Sequence, residues 1–378
     1  MFRKRISPGK SEITTLKDEN ENKLKTRTEI LEYLKRFYED LYSSKVSEKP
    51  RDITDKRAKL TKHHTEDLPQ ISKYEIKIAL KKMKNNKAPG PDDIVIEYIK
   101  MGGPKLLGYL EKLFNDCLDK GEIPQAWKNA DVIILHKKGD KEDIKNYRPI
   151  SLLSHTYKLL TRIITNRVTR RLDEFQPVEQ AGFRGGYNTI DHIHTLRQII
   201  EKSLEYNQQV FLAFIDFEKA FDTIEKWAFL NALKRSRIDS RYIQLINALY
   251  HDATMTVRVF GGTDPINLRR GVRQGDTISP KIFTAALEDI FKTLEWEAKG
   301  VNINGEQLNN LRFADDIVLL AESMDDLKTM LQELNSAAKS CGLQMNAAKT
   351  KIMSNCNDVT DVGPHKPMVK CYIHCIFI

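Results

Sequence analysis

The chain has 378 residues, 40% hydrophobic and 30% charged, an ordinary globular composition with enough apolar material for two or three packed subdomains. Its longest apolar runs, Val210 to Ile215 and Ile317 to Ala321, fall far short of the roughly 20 residues that a membrane-spanning helix needs, and its 5 cysteines form an odd set with no obvious disulfide framework and no secretory signal ahead of them. A formal net charge of +9 suits a partner made of phosphates, and the cysteine usage points to a reducing intracellular compartment, with nucleus and cytoplasm both left open.

Along the chain, residues 1–26 are polar and without period, and are expected to be a disordered leader. Residues 27–70 form an N-terminal helical extension, in which Ile30, Leu34, Phe37 and Leu41 recur at helical spacing and mark a docking helix that ends before the polar stretch from Ser43. A capping box, Ser72 with Glu75 three positions on, opens a second helix that puts Ile76, Leu80 and Met83 on one face. Prolines and a glycine end it in the turn Lys87-Ala88-Pro89-Gly90-Pro91-Asp92. An apolar helix around Leu106 to Leu118 leads to a short strand, Asp131 to Leu135, and a basic loop, Lys137-Lys138-Gly139-Asp140. Two further helices carry Leu159, Ile163, Ile164, Val168 and Leu172, then Ile190, Ile193, Leu196 and Ile200. Arg162, Arg167, Arg170 and Arg171 on the first of them read as a solvated face.

The pattern then changes. Val210 to Ile215 is a continuous apolar run of strand length that stops at Asp216, and Leu311 to Leu320 reads as a hairpin with Asp315 and Asp316 at its turn. A last helix opens at Ser323, carries Leu327, Met330, Leu331 and Leu334, and stops near Gly342. Residues 356–378 form an irregular tail. Its cysteines and histidines lack zinc spacing, and the position of Cys375, fourth from the end, reads as chance.

An apolar strand that ends in a carboxylate needs a reason, because desolvating that charge costs several kcal/mol unless it is paired or bound to metal. Taken singly, each acidic site has an ordinary reading, Asp216 as the cap of the next helix and Asp315-Asp316 as a polar turn. If the two strands are neighbours, Asp216 and Asp315 converge and can hold two Mg²⁺ ions about 3.5–4 Å apart, as polymerases require.

Taken together, the motifs resemble the reverse transcriptases of non-LTR (LINE-type) retrotransposons, with an RTE-like flavour. Ala213-Phe214-Ile215-Asp216-Phe217-Glu218-Lys219-Ala220-Phe221-Asp222 looks like their first palm motif, Phe313-Ala314-Asp315-Asp316 like their acidic box, and Gly271-Val272-Arg273-Gln274-Gly275-Asp276-Thr277-Ile278-Ser279-Pro280 like the motif between them. Upstream, Lys137 to Asp140 with Asn146-Tyr147-Arg148-Pro149-Ile150-Ser151 resembles the fingers motif, and Gln180-Ala181-Gly182-Phe183-Arg184 the next one. Lys87 to Asp92 resembles a further signature, with Asp93 where the family has glycine. The resemblance runs from about Ile30 to Ser354.

It implies an α+β right-hand polymerase fold, with helical fingers over 71–209 and a palm of antiparallel sheet over 210–355. The implied activity is RNA-directed DNA polymerisation, with an RNA template, a DNA primer and dNTPs as partners and two Mg²⁺ ions, or Mn²⁺, as cofactor. By resemblance, Asp216, Asp315 and Asp316 are catalytic, the metal site comprises these three with Phe217, and Lys349 protonates pyrophosphate, with Lys351 as the alternative register. Lys137, Lys138 and Arg148 would clamp the triphosphate. Phe221 would crowd the sugar 2′ position, and Gln274 and Gly275 would lie against the nucleotide. Arg184, Arg269, Arg270 and Arg273 are candidate nucleic-acid contacts. Neither an endonuclease before these motifs nor a thumb after them is recognisable, so the thumb is expected to be missing or truncated. The rival readings are a retrotransposon fragment that only binds RNA and a group II intron maturase-like protein.

Overall fold

The structure, a computed structural model, describes residues 13–47 and 64–355 and the backbone of 368–369. It divides into two interleaved compact units, one of Met1–Lys45, Lys49–Arg170 and Leu233–Ser279, the other of Val46–Glu48, Arg171–Ala232 and Pro280–Ile378. This cuts differently from consecutive fingers over 71–209 and palm over 210–355, because strand pairing across long sequence separations decides what packs together.

The first unit contains the short strands β1 (Leu16–Lys17) and β2 (Lys23–Leu24), the helices α1 (Arg27–Tyr42), α2 (Lys73–Lys82), α3 (Ile96–Met101) and α4 (Gly103–Lys120), and the strands β3 (Asn129–His136) and β4 (Tyr147–Leu152). The helix α5 (His155–Phe175) follows, and after the second unit's segment come α9 (Ser240–Tyr250), β6 (Thr254–Val257) and β7 (Ile266–Asn267). Its four-stranded sheet has the order β4-β3-β6-β7, with β3 antiparallel to β4 and parallel to β6. Helix α1 covers this sheet: Ile30, Leu34 and Tyr38 pack with Val132, Ile134, Tyr147, Met255 and Val257. Both expected helix starts carry real caps, Thr26 with Glu29 on α1 and Ser72 with Glu75 on α2.

Two expectations are corrected in this unit. Residues 13–26 are ordered: β1 pairs with β2, and Leu16 is fully buried beneath α1. Two apolar side chains three apart, Ile13 and Leu16, are too few to register as a period, yet enough to anchor a hairpin. Arg167 does not belong to a solvated face. Its guanidinium holds both carboxylate oxygens of Glu75, at 2.8 and 2.6 Å, and donates to the carbonyls of Pro69 and Gln70.

The second unit contains α6 (Thr189–Glu205), β5 (Phe211–Ile215), α7 (Ala220–Thr223), α8 (Lys226–Arg235, which runs on into the first), α10 (Ser279–Phe291), β8 (Val301–Ile303), β9 (Glu306–Leu308), β10 (Asn310–Phe313), β11 (Asp316–Ala321), α11 (Met324–Ser340), β12 (Lys351–Ser354) and β13 (Met368–Val369). Its five-stranded sheet has the order β10-β11-β5-β12-β13. The pairs from β10 to β12 are antiparallel, and β13 joins the edge in parallel. Leu196 and Ile199 of α6 pack on Val210, Leu212, Leu311 and Leu320, whereas Ile190 and Ile193, expected on the same apolar face, are 72% and 57% exposed. Helix α11 buries Leu327, Met330, Leu334 and Ala338, begins at the Ser323 cap and is followed by Gly342 at φ +89°. The tail cysteines and histidines lie outside the described residues.

Candidate active site

Strand β5 is buried along its length because its residues alternate between two covered faces, and the chain leaves the sheet at Asp216. On the neighbouring strand, Ile317 is level with Ile215, so the register places Asp316 level with Asp216. Phe313 pairs with Asp316 across the hairpin, leaving Ala314 and Asp315 as a two-residue turn. The three aspartates therefore share one end of the sheet, as expected from sequence, with Asp316 rather than Asp315 opposite Asp216. Asp315 is half-buried and Asp316 exposed.

The backbone beyond Asp216 is pinned by the segment after α11. Asn346 N–H donates to the Asp216 carbonyl at 2.8 Å, and Glu218 N–H to that of Gln344 at 2.9 Å. Phe217, implied as part of the metal site, is bridged to Met345, and its side chain is buried. The turn that Asn346 opens delivers Lys349, whose Nζ lies 3.1 Å from Asp216 Oδ2. Lys351 turns away to the Ala348 carbonyl at 3.0 Å, so the structure separates two lysines that sequence left in competition.

Phe221, in the short helix α7, stacks on Phe283 of α10 with centroids 4.4 Å apart and meets Phe183 edge-on. The ring is thus braced on one side and half-exposed. Gln180 was quoted in a motif but assigned no role. It is fully buried, and its Oε1 accepts from the N–H groups of Gly182 at 2.8 Å and Ala314 at 3.0 Å. Only the tertiary arrangement reveals this, since 134 residues separate Gln180 from Ala314.

The other candidates lie in the first unit. Lys137 and Lys138 are exposed on the loop between β3 and β4, and Arg148 is exposed on β4 opposite Leu135. Asn146 shapes this loop by accepting from Lys137 N–H and donating to the Asp140 carbonyl. The Gln274-Gly275 turn lies against β4, with Ser151 N–H donating to the Gln274 carbonyl at 2.8 Å. Gly275 has φ +106°, and a Cβ there would sit 2.9 Å from the Ser151 carbonyl oxygen. Glycine is required at that position for both reasons.

Three of the four arginines expected to contact nucleic acid are occupied internally. Arg273 is 3% exposed, donates to the carbonyls of Trp127 and Lys128, and lies over the rings of Tyr157 and Tyr250. Arg270 is buried and donates through Nε to the Leu41 carbonyl at the end of α1. Arg184 donates to the carbonyls of Asp173, Pro177 and Gln180 and lies over the Tyr187 ring. Each donates to main-chain carbonyls at or just beyond the C-terminal end of a helix or turn. Arg269 keeps an exposed side chain.

Beneath the acidic hairpin, Arg312 of β10 and Glu288 of α10 form a buried pair at 2.9 Å, with the guanidinium over Phe291. Burial raises the Glu288 carboxyl above its ordinary value and lowers the Arg312 guanidinium, each opposed by the other's charge.

Among the described residues no group of three or more His, Cys, Asp or Glu side chains is arranged to hold a metal ion. The donor set still fits a hard divalent cation, because carboxylates are hard oxygen donors and those of two adjacent strands share one end of the sheet. No helix among the described residues is long and apolar enough to cross a membrane.

An α+β chain whose antiparallel sheet presents aspartates from adjacent strands, with a lysine against one of them, has the make-up of a nucleotidyl-transferring polymerase palm. Residues 135–368 match the family model described as reverse transcriptase (RNA-dependent DNA polymerase), and the chain belongs to that family, within which divalent metals are generally used. Its relatives are proteins of non-LTR retrotransposons. It is 31% identical over 288 residues to the retrovirus-related Pol polyprotein from type-1 retrotransposable element R2 of Popillia japonica, covering 75% of this chain and 39% of that one. It is 28% identical to the RNA-directed DNA polymerase from mobile element jockey of Drosophila melanogaster, covering 75% and 31%. It is 27% identical to the transposon TX1 uncharacterized 149 kDa protein of Xenopus laevis, covering 88% and 26%. The chain thus spans well under half the length of these relatives. Among solved structures, apo telomerase from Candida tropicalis truncated from its C-terminal domain is similar with a TM-score of 0.45 at 15% identity, covering 70% of this chain and 63% of that one.

Proposed function

We propose that the chain is the fingers-and-palm core of an RNA-directed DNA polymerase of a non-LTR retrotransposon, with the RTE-like branch as the finer reading of its motifs. The observation that carries this is the alignment of Asp216 with Asp316 on adjacent strands, Asp315 in the turn beside them and Lys349 against Asp216. The reaction joins a primer 3′-oxygen to the α-phosphorus of a dNTP as the bond to the β-phosphate breaks and pyrophosphate leaves, on an RNA template.

Asp216 and Asp315 would hold two Mg²⁺ ions, or Mn²⁺, with Phe217 and Asp316 completing the surroundings. When bound, the ions supply Lewis acidity to the 3′-hydroxyl and to the triphosphate. Lys349 donates the proton that the leaving pyrophosphate takes up. Lys137, Lys138 and Arg148 hold the triphosphate oxygens, with the guanidinium offering two donors at fixed geometry. Phe221, backed by Phe283, blocks a 2′-hydroxyl. Gln274 and Gly275 lie against the incoming nucleotide, and Arg269 is the arginine left to meet backbone phosphate.

The test is primer extension on poly(rA)–oligo(dT) with dTTP and Mg²⁺ or Mn²⁺, comparing the chain with its Asp315→Ala, Asp316→Ala variant. Extension by the first alone supports the proposal. No extension by either, with RNA binding retained, replaces it with a fragment that binds RNA without synthesis.

A further inference from the structure

We infer that Gln180 is a positioning residue for the acidic hairpin, acting by fixing the backbone of Ala314 so that Asp315 and Asp316 are held in one geometry; this rests on the polymerase reading of that site. Three observations meet at this turn. Ala314 has φ +57°, a region that residues other than glycine avoid, at the first position of a two-residue hairpin turn, where glycine is the common choice. The Ala314 N–H donates to Gln180 Oε1 at 3.0 Å, and the same oxygen accepts from Gly182 N–H at 2.8 Å. Gly182 lies so close that a Cβ there would collide with the Ala314 backbone nitrogen.

The strained turn is therefore clamped from a second segment. That segment is itself fastened to β10, since Arg312 N–H donates to the Glu179 carbonyl at 2.8 Å and Ala181 N–H to the Arg312 carbonyl at 2.9 Å. These bonds close the edge of the sheet one residue before Phe313, so residues 179–182 are tied to the hairpin through both main-chain groups of Arg312. Gln180 is fully buried, so no water replaces its acceptor when the side chain is removed. Its Nε2 has no hydrogen-bond partner, so the side chain amide is engaged through Oε1 alone. A carboxylate pair that must bind cations tolerates little displacement: a misplacement of about 1 Å in a catalytic constellation costs roughly 100-fold in rate.

The experiment compares the full chain with Gln180→Met, which keeps the length and removes the acceptor, and with Gln180→Asn, which withdraws the acceptor by one methylene. Three quantities are read: hydrogen exchange of the Ala314 amide, Mn²⁺ affinity measured on the protein alone, and turnover in primer extension. Gln180→Met and Gln180→Asn are expected to speed exchange at Ala314, weaken Mn²⁺ binding at least tenfold by the same displacement argument, and lower kcat roughly 100-fold with primer–template affinity unchanged. A purely structural role would lower melting temperature and leave Mn²⁺ affinity of the folded protein intact, which would overturn the inference. So would a parent chain that binds no Mn²⁺. A parent chain that extends no primer, while exchange and Mn²⁺ affinity follow the expected order, removes the polymerase reading and leaves the positioning role standing.

Discussion

Arg273 separates two accounts of a basic residue in a polymerase motif, because they predict opposite results for one substitution. As a phosphate ligand, Arg273 would be exchanged for Met with little effect on folding, while the slope of log affinity against log salt would fall by about 0.7–0.9 for the single phosphate no longer neutralised. As an internal brace, the guanidinium is 3% exposed and donates to Trp127 O at 3.1 Å and Lys128 O at 2.6 Å, between the rings of Tyr157 and Tyr250 at 5.4 and 5.7 Å. Charged hydrogen bonds of this kind contribute about 1.5–3 kcal/mol each, and the ring interactions about 1 kcal/mol more. Methionine refills part of the space and the terms are not additive, so the expected loss is roughly 3–5 kcal/mol. At about 1.3 °C per kcal/mol for a chain of 378 residues, melting should fall by roughly 4–6 °C. The assay pairs thermal denaturation with RNA binding across a salt series, using Arg269→Met as the exposed comparator. Arg273→Met should melt early and keep its salt slope when measured cold; Arg269→Met should melt normally with a shallower slope. A normal melting temperature with a reduced slope for Arg273→Met would refute the brace.

Phe221→Val keeps an apolar contact with Phe283 but removes the ring proposed to face the sugar, so the preference for dTTP over UTP should drop by about 10–100-fold, in line with what a pocket gains from a few carbon atoms; an unchanged ratio in competitive extension would remove Phe221 from nucleotide selection. At Glu75, burial pushes the carboxyl up, but the hydrogen bonds from Arg167 and from Ser72 N–H outweigh it and hold the group below its ordinary 4.5. The folded chain therefore binds that proton less readily than the unfolded one, so this stabilisation is complete above pH 4.5 and is lost as pH falls through the lower folded value. Glu75→Gln should show a shallower loss of urea midpoint across that acid window, and parallel curves would contradict the assignment. Beneath the hairpin, Glu288→Ala strands a guanidinium that is 2% exposed and should cost about 3–5 kcal/mol, whereas Glu288→Leu with Arg312→Leu should be close to neutral in urea unfolding; a double variant as unstable as the single one would show that the pair contributes net stability.

What was legible in the sequence is what neighbours in sequence decide. The Ser72–Glu75 box closes within one helical turn, and both of its hydrogen bonds are formed, Glu75 N–H to Ser72 Oγ at 3.3 Å and Ser72 N–H to Glu75 Oε2 at 3.2 Å. The apolar run into Asp216, the hairpin around Asp315 and the helix from Ser323 to Gly342 are likewise local, and each appears within a residue or two of its expected place. The leader failed because two buried side chains, Ile13 and Leu16, make no period. The arginines failed for a different reason: their acceptors are main-chain carbonyls, which every residue carries and no side-chain pattern advertises. Arg273 reaches carbonyls 145 and 146 residues away, and Arg270 one 229 away. A basic residue in a nucleic-acid-binding motif is thus available to phosphate only after the helix ends around it have been satisfied. By that criterion Arg184, Arg270 and Arg273 hold the scaffold, and of the cations proposed to meet triphosphate and template, Lys137, Lys138, Arg148 and Arg269 are exposed. Salt dependence should therefore be set by fewer phosphate-binding cations than the motifs alone suggest, and should survive substitution of any of these three internally bonded arginines in the fraction that still folds.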